Sequence, residues 1–260
     1  MSKIIRISLL KAATTLKTWR NYEPRSTDGP LNHHFGDMAT LRSGGRKYGH
    51  AQHFTSPRLV RSVETVHHRG TLASIMELLS GRTLYDSLRE PRSAGAPRKR
   101  VEWLTGITEG LAYLHERDIV HRDLSPRNCL FRHDGSLALG DFGVARRTDD
   151  YTLTTFHERM GSLIYISPQQ RENPHSARFT DDVFALGQIA YHMLTGRSPH
   201  GGIEAIAALG YPAELDSWVQ SCRDPDPISR PESATESLNS LKSLGITDAS
   251  LPKTLSDIVV

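Results

Sequence analysis

Two short blocks of the chain carry oxygen-bearing side chains at a spacing that suits phosphate and metal chemistry. The first block spans residues 121–128 and contains Asp123 and Asn128, and the second spans residues 141–143 and begins with Asp141. A carboxylate such as Asp123 can orient and deprotonate a hydroxyl nucleophile. Asn128 and Asp141 supply the hard oxygen ligands that Mg²⁺ prefers. The two blocks therefore predict a centre where a phosphate and a metal ion meet.

The residues between the two blocks predict a β-hairpin. Cys129–Phe131 and Leu137–Leu139 are apolar, and Asp134 followed by Gly135 is a turn signal between them. Such a hairpin would return Asp141 to the side of Asn128, so that two ligands converge on one metal ion.

Two apolar helices are predicted to hold the first block in place. A helix leading into His121 is indicated by apolar residues at spacings of three and four, which are Val101, Leu104, Ile107, Leu111 and Leu114. A second helix opens within residues 180–187, where Thr180 and the acids after it are expected to cap its start.

The remaining elements are shorter. Strands are predicted at residues 59–60 and Thr71–Met76, with residues 67–70 as the turn between them and residues 77–81 as a linker. Further short helices are predicted over residues 84–88, 204–209, 214–222 and 232–244. A polar tail without regular structure is expected from residue 247 to 260.

The bulk composition excludes several classes of protein. A length of 260 residues allows one large domain or two lobes, and the net charge of +3 gives no concentrated basic face for a nucleic acid. The two cysteines do not form a paired motif, which favours a reducing, cytoplasmic setting. No stretch approaches the roughly 18 apolar residues that a membrane span requires.

The two blocks resemble the signature of the protein kinase family. Residues 121–128 read H-R-D-L-x-x-x-N and residues 141–143 read D-F-G. The resemblance runs from about residue 56 to 241. It implies an α+β, two-lobed fold with a mostly helical larger lobe over residues 80–244 and a β-containing remnant of the smaller lobe over residues 56–79. Residues 1–55 would be an atypical smaller-lobe segment, and residues 245–260 a tail.

The resemblance also implies how ATP and Mg²⁺ would bind. Main-chain groups near Glu77 and Leu79 would hold adenine, Met76 would lie behind it, and Leu130 would be a further nucleotide-binding residue. Without the resemblance, this linker is an ordinary strand end. The acid at Asp182 would bond the backbone of the catalytic loop, which is the first block at residues 121–128, and so support it.

Substrate class is indicated by residues that match or depart from the family pattern. Ser125 stands where Ser/Thr kinases commonly carry a Lys, and Arg127 stands where tyrosine kinases carry a compensating Arg, so we assign Arg127 to the γ-phosphate. A solvated surface charge is the alternative for Arg127. Residues 161–168, G-S-L-I-Y-I-S-P, are similar to the equivalent segment of bacterial Ser/Thr kinases. Protein serine and threonine hydroxyls are therefore the predicted substrates.

Two further features follow from the same resemblance. Gln169 replaces a Glu that pairs with an Arg, for which Arg230 is the candidate, and an uncharged amide would make a weaker bond. Arg122 places a cation beside the base and could pair with a phosphorylated hydroxyl of the segment after Asp141. The candidate hydroxyls are Thr148, Thr152, Thr154, Thr155 and Ser162.

The region before residue 56 departs from the family pattern. It contains no G-x-G-x-x-G, and residues 43–46 lie too near the next strand to replace it. The helix Glu is expected near Lys47, yet no Glu occurs between Glu23 and Glu64, and Lys17 is the nearest imitation of the strand Lys. Three interpretations remain open: an impaired kinase-like scaffold, a kinase with an unorthodox smaller lobe, or a truncated or frame-shifted product of a kinase gene. The favoured prediction is an ATP- and Mg²⁺-dependent protein Ser/Thr kinase.

Overall fold

The computed structural model describes residues 6–9, 54–68, 71–90, 96–141, 163–173, 176–199 and 205–253. Its strands are β1 Arg6–Leu9, β2 Ser62–His68, β3 Thr71–Met76, β4 Cys129–Phe131 and β5 Leu137–Leu139. Its α-helices are α1 Leu84–Arg89, α2 Pro97–His115, α3 Pro168–Glu172, α4 Phe179–Thr195, α5 Ala213–Cys222 and α6 Ala234–Ser243. Short 3-10 helices span Pro126–Asn128, Leu163–Tyr165, Ile206–Leu209 and Asp248–Ser250.

The first sheet is antiparallel, with β3 between β1 and β2. The prediction of β3 is confirmed, but the predicted strand at residues 59–60 and the predicted turn at 67–70 are wrong. The strand that pairs with β3 is instead β2, Ser62–His68. It includes two residues of the predicted turn, because His67 pairs with Leu72 and His68 pairs with Thr71. Pairing with β3 extends to the last residue of β2, so only residues 69 and 70 connect the strands.

Residues 58–60 instead join the second sheet, the β4–β5 hairpin. The Val60 N–H donates to the Leu139 carbonyl and the Leu139 N–H donates to the Arg58 carbonyl, both at 2.8 Å. This segment lies directly on α2, where a Cβ built on Gly110 would meet the Arg58 carbonyl oxygen at 2.9 Å. A glycine is therefore required for the main chain to approach the helix this closely.

The two long helices form the centre of the larger, helical part. Pro97 occupies the first position of α2, where its missing N–H is harmless, and the helix ends at His115, before the catalytic loop. Apolar side chains of α2 and α4 are almost completely buried, among them Leu104, Ile107, Leu186 and Ile189. Burial of this apolar surface is the main stabilising contribution to the fold.

The start of α4 agrees with the prediction that an acid helps to cap it, but not with the prediction for Thr180. Arg178 is the N-cap, and the Asp181 carboxylate, three residues further on, accepts the Arg178 N–H at 2.8 Å. Thr180 lies inside the first turn and is not the cap. A carboxylate at this position reaches back to the orphan N–H just as a capping-box acid does, and it also interacts favourably with the helix dipole.

The C-terminal helices are close to their predicted ranges, although residues 206–209 form a 3-10 helix. The prediction of an irregular tail from residue 247 is wrong as far as Leu251. Asp248–Ser250 is a 3-10 turn, the Asp248 carboxylate is 2.6 Å from Arg98, and Leu251 is buried in the main core. These contacts join the tail to α2, which local sequence does not reveal.

The fold class is therefore α+β, and the larger part is mostly helical, as predicted. No helix in the described ranges is long and apolar enough to cross a lipid bilayer. Cys129 and Cys222 are both buried and unpaired. Burial raises the pKa of both thiols, that of Cys222 to about 12.

Candidate active site

The catalytic loop is held by one buried carboxylate at the start of α4. Asp182 accepts the N–H of His121 at 2.6 Å and the N–H of Arg122 at 2.9 Å. The predicted support by Asp182 is confirmed. Arg122 adopts a φ of 69°, which is uncommon for a residue with a Cβ, so the main chain turns sharply just before Asp123.

His115, at the end of α2, fixes this carboxylate in turn. Its Nδ1 lies 3.0 Å from the Ala234 N–H at the start of α6, and its Nε2 lies 3.1 Å from Asp182. An amide N–H can only donate, so Nδ1 is the acceptor and Nε2 donates to Asp182. The ring also stacks on Phe179 with a centroid distance of 4.3 Å. Sequence reasoning missed this role.

Asn128 joins the predicted base to the predicted metal site. Its Nδ2 donates to the main-chain oxygen of Asp123 at 2.7 Å and to the Asp123 carboxylate at 3.1 Å. Because both bonds use the nitrogen, Oδ1 is the amide atom that can serve as a metal ligand. Asn128 is buried at the end of the 3-10 turn, whereas Asp123 is half-buried and open to a reactant.

The predicted hairpin is confirmed and returns the chain to Asn128. Cys129 pairs with Leu139, and the Gly140 N–H donates to the Asn128 carbonyl at 2.8 Å. Asp141 follows immediately, with a φ of 55°. Asp123 and Asn128 are therefore joined by hydrogen bonds, and Asp141 follows directly on the residue that is bonded to the Asn128 main chain. An amide oxygen and a carboxylate are suitable ligands for Mg²⁺, so the residues present fit that ion.

A cleft of about 590 Å³, which includes space open to solvent, begins at Asp141. All four residues predicted to bind the nucleotide line it: Met76, Glu77, Leu79 and Leu130. The other lining residues are Val60, Leu78, Gly81, Thr83 and Gly140. A small apolar cluster within it contains Val60, Leu79 and Leu130, with Met76 packed against it. An apolar slot of this kind suits a flat aromatic ring, with its polar end at Asp141.

The Glu77 side chain anchors the linker, residues 77–81, through contacts with Arg61 and Arg132. Its carboxylate accepts the Arg61 N–H at 3.0 Å and lies 2.9 Å from the Arg132 guanidinium. Arg132 also donates to the carbonyls of Pro57 and Leu59 at 3.1 and 3.0 Å. The Glu77 N–H donates to the Arg61 carbonyl at 3.0 Å, so this N–H is already used within the protein.

The ionisation of Glu77 reflects these contacts. Burial on its own would raise the pKa of Glu77, but the hydrogen bonds from Arg132 and from the Arg61 amide outweigh it and hold the pKa below its usual value. The anionic form is thus favoured in the folded protein.

Arg127, assigned to the phosphate, stacks on a tyrosine of α1. Its guanidinium carbon lies 3.9 Å from the centroid of the Tyr85 ring, within the range of a cation–π interaction. The side chain is exposed and lies in the same 3-10 turn as Asn128. Ser125, two residues earlier, is buried, so Arg127 and not Ser125 presents a polar group to solvent here.

The predicted partnership of Gln169 with Arg230 is confirmed. The Arg230 guanidinium donates to Gln169 Oε1 at 2.8 Å, and Gln169 Nε2 donates to the Pro225 carbonyl at 2.8 Å. A glutamate could accept the first bond but could not donate the second. The amide therefore compensates for its missing charge with an additional hydrogen bond.

Several predicted residues lie outside the described ranges. They are Phe142 and Gly143, residues 43–46, Lys17, Lys47 and the hydroxyls of Thr148, Thr152, Thr154, Thr155 and Ser162.

Comparison with known proteins places these observations in context. A sequence model of the protein kinase domain matches residues 46–240. The serine/threonine-protein kinase PkaA of Streptomyces coelicolor is 32% identical over 193 residues, which cover 68% of this chain and 35% of that protein. The serine/threonine-protein kinase PrkC of Bacillus subtilis is 29% identical over 173 residues, covering 66% of this chain and 26% of that protein. PknL of Mycobacterium tuberculosis, also a serine/threonine-protein kinase, is 36% identical over 134 residues, which cover 51% of this chain and 33% of that protein. The matched region thus spans between 26% and 35% of the length of each of these relatives.

Proposed function

This chain belongs to the protein kinase domain family, and from that membership we propose that it transfers the γ-phosphate of ATP to serine and threonine hydroxyls of proteins. The observation that carries the proposal is the hydrogen-bonded pair of Asp123 and Asn128, with Asp141 next to the residue bonded to Asn128 and at the end of an apolar cleft. A base, two metal ligands and a slot for adenine are the parts that phosphoryl transfer requires.

The geometry supports the following division of labour. Apolar residues around Val60 and Leu130 would hold adenine, which directs the phosphates towards Asp141. Asn128 Oδ1 and the Asp141 carboxylate would hold Mg²⁺, which neutralises charge on the phosphate oxygens. Asp123 would orient the substrate hydroxyl in line with the γ-phosphate and accept its proton late in the reaction.

The cations beside Asp123 would complete the site. Arg127 lies in the same turn as Asn128, and its planar guanidinium can bind two phosphate oxygens at once. Stacking on Tyr85 restricts its side chain and so reduces the entropy lost when it binds. Arg122 is exposed next to Asp123 and could pair with a phosphorylated hydroxyl after Asp141.

Preference for serine and threonine is supported by the segment that ends in α3 and by the relatives. Ser167 caps α3 through the Gln170 N–H at 3.0 Å, and the Tyr165 hydroxyl lies 2.7 Å from His192. These bonds give residues 163–168 a fixed shape beside the catalytic loop. The three relatives named above are serine/threonine kinases by name.

We also propose that the protein resides in the cytoplasm and that residues 56–244 form a kinase-like unit. Two buried, unpaired cysteines support a reducing compartment. The large main core, which extends from Leu59 to Leu251, supports a single larger lobe.

A non-catalytic scaffold is the second candidate. It is favoured by the sequence of residues 1–55, which lacks the G-x-G-x-x-G and offers no Glu between Glu23 and Glu64. Both candidates use the same fold, so only chemistry separates them.

The proposal is tested by labelled ATP, Mg²⁺ and a generic protein substrate, comparing the wild type with Asp123→Ala. We expect transfer by the wild type, a loss of about 10³-fold or more in the variant, and label on serine and threonine after hydrolysis of the product. Equal, background-level transfer by both proteins would favour the scaffold. Label on tyrosine would overturn the substrate class.

A further inference from the structure

Gln170, in α3, makes a contact with the catalytic loop that no motif in the sequence indicates. Its Nε2 donates to the Arg122 carbonyl at 2.7 Å. That carbonyl belongs to the peptide group that joins Arg122 to Asp123. Any rotation of this peptide changes the direction in which the Asp123 side chain leaves the main chain.

The contact closes a ring of hydrogen bonds around Arg122. At one side Asp182 accepts the Arg122 N–H at 2.9 Å, and the neighbouring Asp181 accepts the Ser167 hydroxyl. The Ser167 oxygen accepts the Gln170 N–H at 3.0 Å, and Gln170 returns to Arg122. Both main-chain groups of Arg122 are thereby bonded to side chains from two different helices.

This arrangement explains how a residue with a Cβ is held at a φ of 69°. The left-handed region is disfavoured for such residues and persists where surrounding bonds determine it. Asp182 alone fixes the N–H side of Arg122. Gln170 fixes the carbonyl side, which is the side that leads to Asp123.

We propose that Gln170 is a positioning residue that aims Asp123 by holding the Arg122 carbonyl. The inference rests on the proposed phosphotransfer for its kinetic readout, but its structural readout does not. Because α3 follows residues 163–167 directly, the same bond also ties that segment to the catalytic loop.

Two neighbouring glutamines allow a matched test. Gln170→Glu keeps the size of the side chain but cannot donate, and it places a carboxylate against a carbonyl oxygen. Gln169→Glu makes the same change one residue earlier and likewise loses a donor bond to a carbonyl, that of Pro225, but this bond does not involve the catalytic loop and the carboxylate still accepts from Arg230. We expect kcat to fall about 10-fold in Gln170→Glu, with the KM for ATP within about twofold of the wild type, since one net hydrogen bond is lost. Gln169→Glu should retain kcat.

Gln170→Lys supplies the rescue, because an ammonium group of similar reach can still donate to the carbonyl. It should keep kcat within about threefold of the wild type. Wild-type kcat in Gln170→Glu, or equal losses in the Glu and Lys variants, would overturn the proposal.

Hydrogen exchange of the peptide containing residues 119–124 separates this inference from the proposed function. We expect faster exchange in Gln170→Glu and wild-type exchange in Gln170→Lys and Gln169→Glu. If the wild type transfers no phosphate, the proposed function fails and the exchange result alone decides the inference. Unchanged exchange in Gln170→Glu would then contradict it.

Discussion

At the scale of single residues, Asn128 has the most tightly defined role in the site. Its nitrogen bonds Asp123 twice, and its oxygen is the atom that fits a metal ion. In the proposed function, one side chain would thus set both the position of the base and one ligand of the ion. Replacing each end separately can therefore divide the two effects.

We predict different outcomes for two substitutions of Asn128. Asn128→Asp keeps an oxygen for Mg²⁺ but loses the donor to Asp123, so kcat should fall about 100-fold while the Mg²⁺ concentration for half-maximal activity changes little. Asn128→Ala loses both ends, so kcat should fall and the Mg²⁺ requirement should rise. Initial rates measured over a Mg²⁺ titration test this. An identical Mg²⁺ requirement in the two variants would remove Asn128 from the metal site.

The sequence indicated the candidate site residues and, through the family pattern, the support by Asp182. It did not indicate the contacts of Gln170 and Arg132. Asp123, Asn128 and Asp141 could be proposed from sequence because their types and spacing suit phosphate and metal chemistry. Gln170 contacts a carbonyl 48 positions away, and Arg132 contacts one 73 positions away. A bond to a main-chain group places no constraint on the partner's side chain, so no pair of residue types reveals it.

At the scale of elements, α2 supports the cleft at Gly110, where the helix packs against main chain. Gly110 lies against the Arg58 main chain, and residues 58–60 continue to Val60 at the cleft. Gly106, one turn earlier, faces only the flexible end of the Arg58 side chain, at 3.4 Å. The two positions share a helix and a neighbour but differ in what they touch.

We predict that Gly110→Ala lowers the free energy of unfolding by about 1–3 kcal/mol and weakens ATP binding, because the new methyl group displaces main chain. Gly106→Ala should be neutral or stabilising by up to about 1 kcal/mol, since alanine favours the helix and the guanidinium can move. Urea unfolding and an ATP titration measure both quantities. Equal destabilisation by the two substitutions would contradict close main-chain packing at Gly110.

The linker between β3 and α1 depends on the Glu77 anion. Because the pKa of Glu77 is held below its usual value of 4.5, its charge contributes stability above that pH, and the contribution is lost as the pH falls through the lowered pKa. We predict that the wild type is more stable than Glu77→Gln at pH 7 and that this difference shrinks below about pH 4.5.

Urea unfolding of both proteins at pH 7 and near pH 3.5 tests the prediction. Glu90→Gln is the control, since its pair with Arg82 is exposed and is expected to contribute less than about 0.5 kcal/mol at either pH. A difference that stays constant or grows in acid would show that the Glu77 charge does not stabilise the linker.

The elements that the sequence predicted are those with long, regular patterns. Both long helices and the β4–β5 hairpin were predicted, because apolar spacing and an Asp-Gly turn are local signals. The start of β2, the cap at Arg178 and the turn at Asp248–Ser250 were not. The start of β2 and the turn at Asp248–Ser250 have partners elsewhere in the chain, β3 and Arg98. The cap at Arg178 has a local partner, Asp181, but an arginine is not a residue type that signals a cap.

At the scale of the whole molecule, the cleft joins parts of the chain that are far apart in sequence. The linker and β3 supply Met76 and Leu79, the segment on α2 supplies Val60, and the hairpin supplies Leu130 and Asp141. A nucleotide that contacts all of them can bind only when they are assembled. Its binding should therefore stabilise the fold as a unit.

We predict that ATP with Mg²⁺ raises the Tm of the protein. A ligand at about 100 times its Kd that binds only the folded state adds about 2.7 kcal/mol to the free energy of unfolding. Asp141→Asn should show a smaller rise, because one charged metal ligand is lost, and ATP with excess chelator should act in the same way on the wild type. A rise that is the same with and without Mg²⁺ would contradict the assignment of Asp141.

The most direct test of the account is a crystal structure with Mg²⁺ and a non-hydrolysable ATP analogue. We predict adenine in the cleft between Val60 and Leu130, and Mg²⁺ bound by Asn128 Oδ1 and the Asp141 carboxylate at about 2.0–2.1 Å. The γ-phosphate should lie beside Asp123. An ion held without Asn128 and Asp141, or a nucleotide bound outside this cleft, would contradict the account.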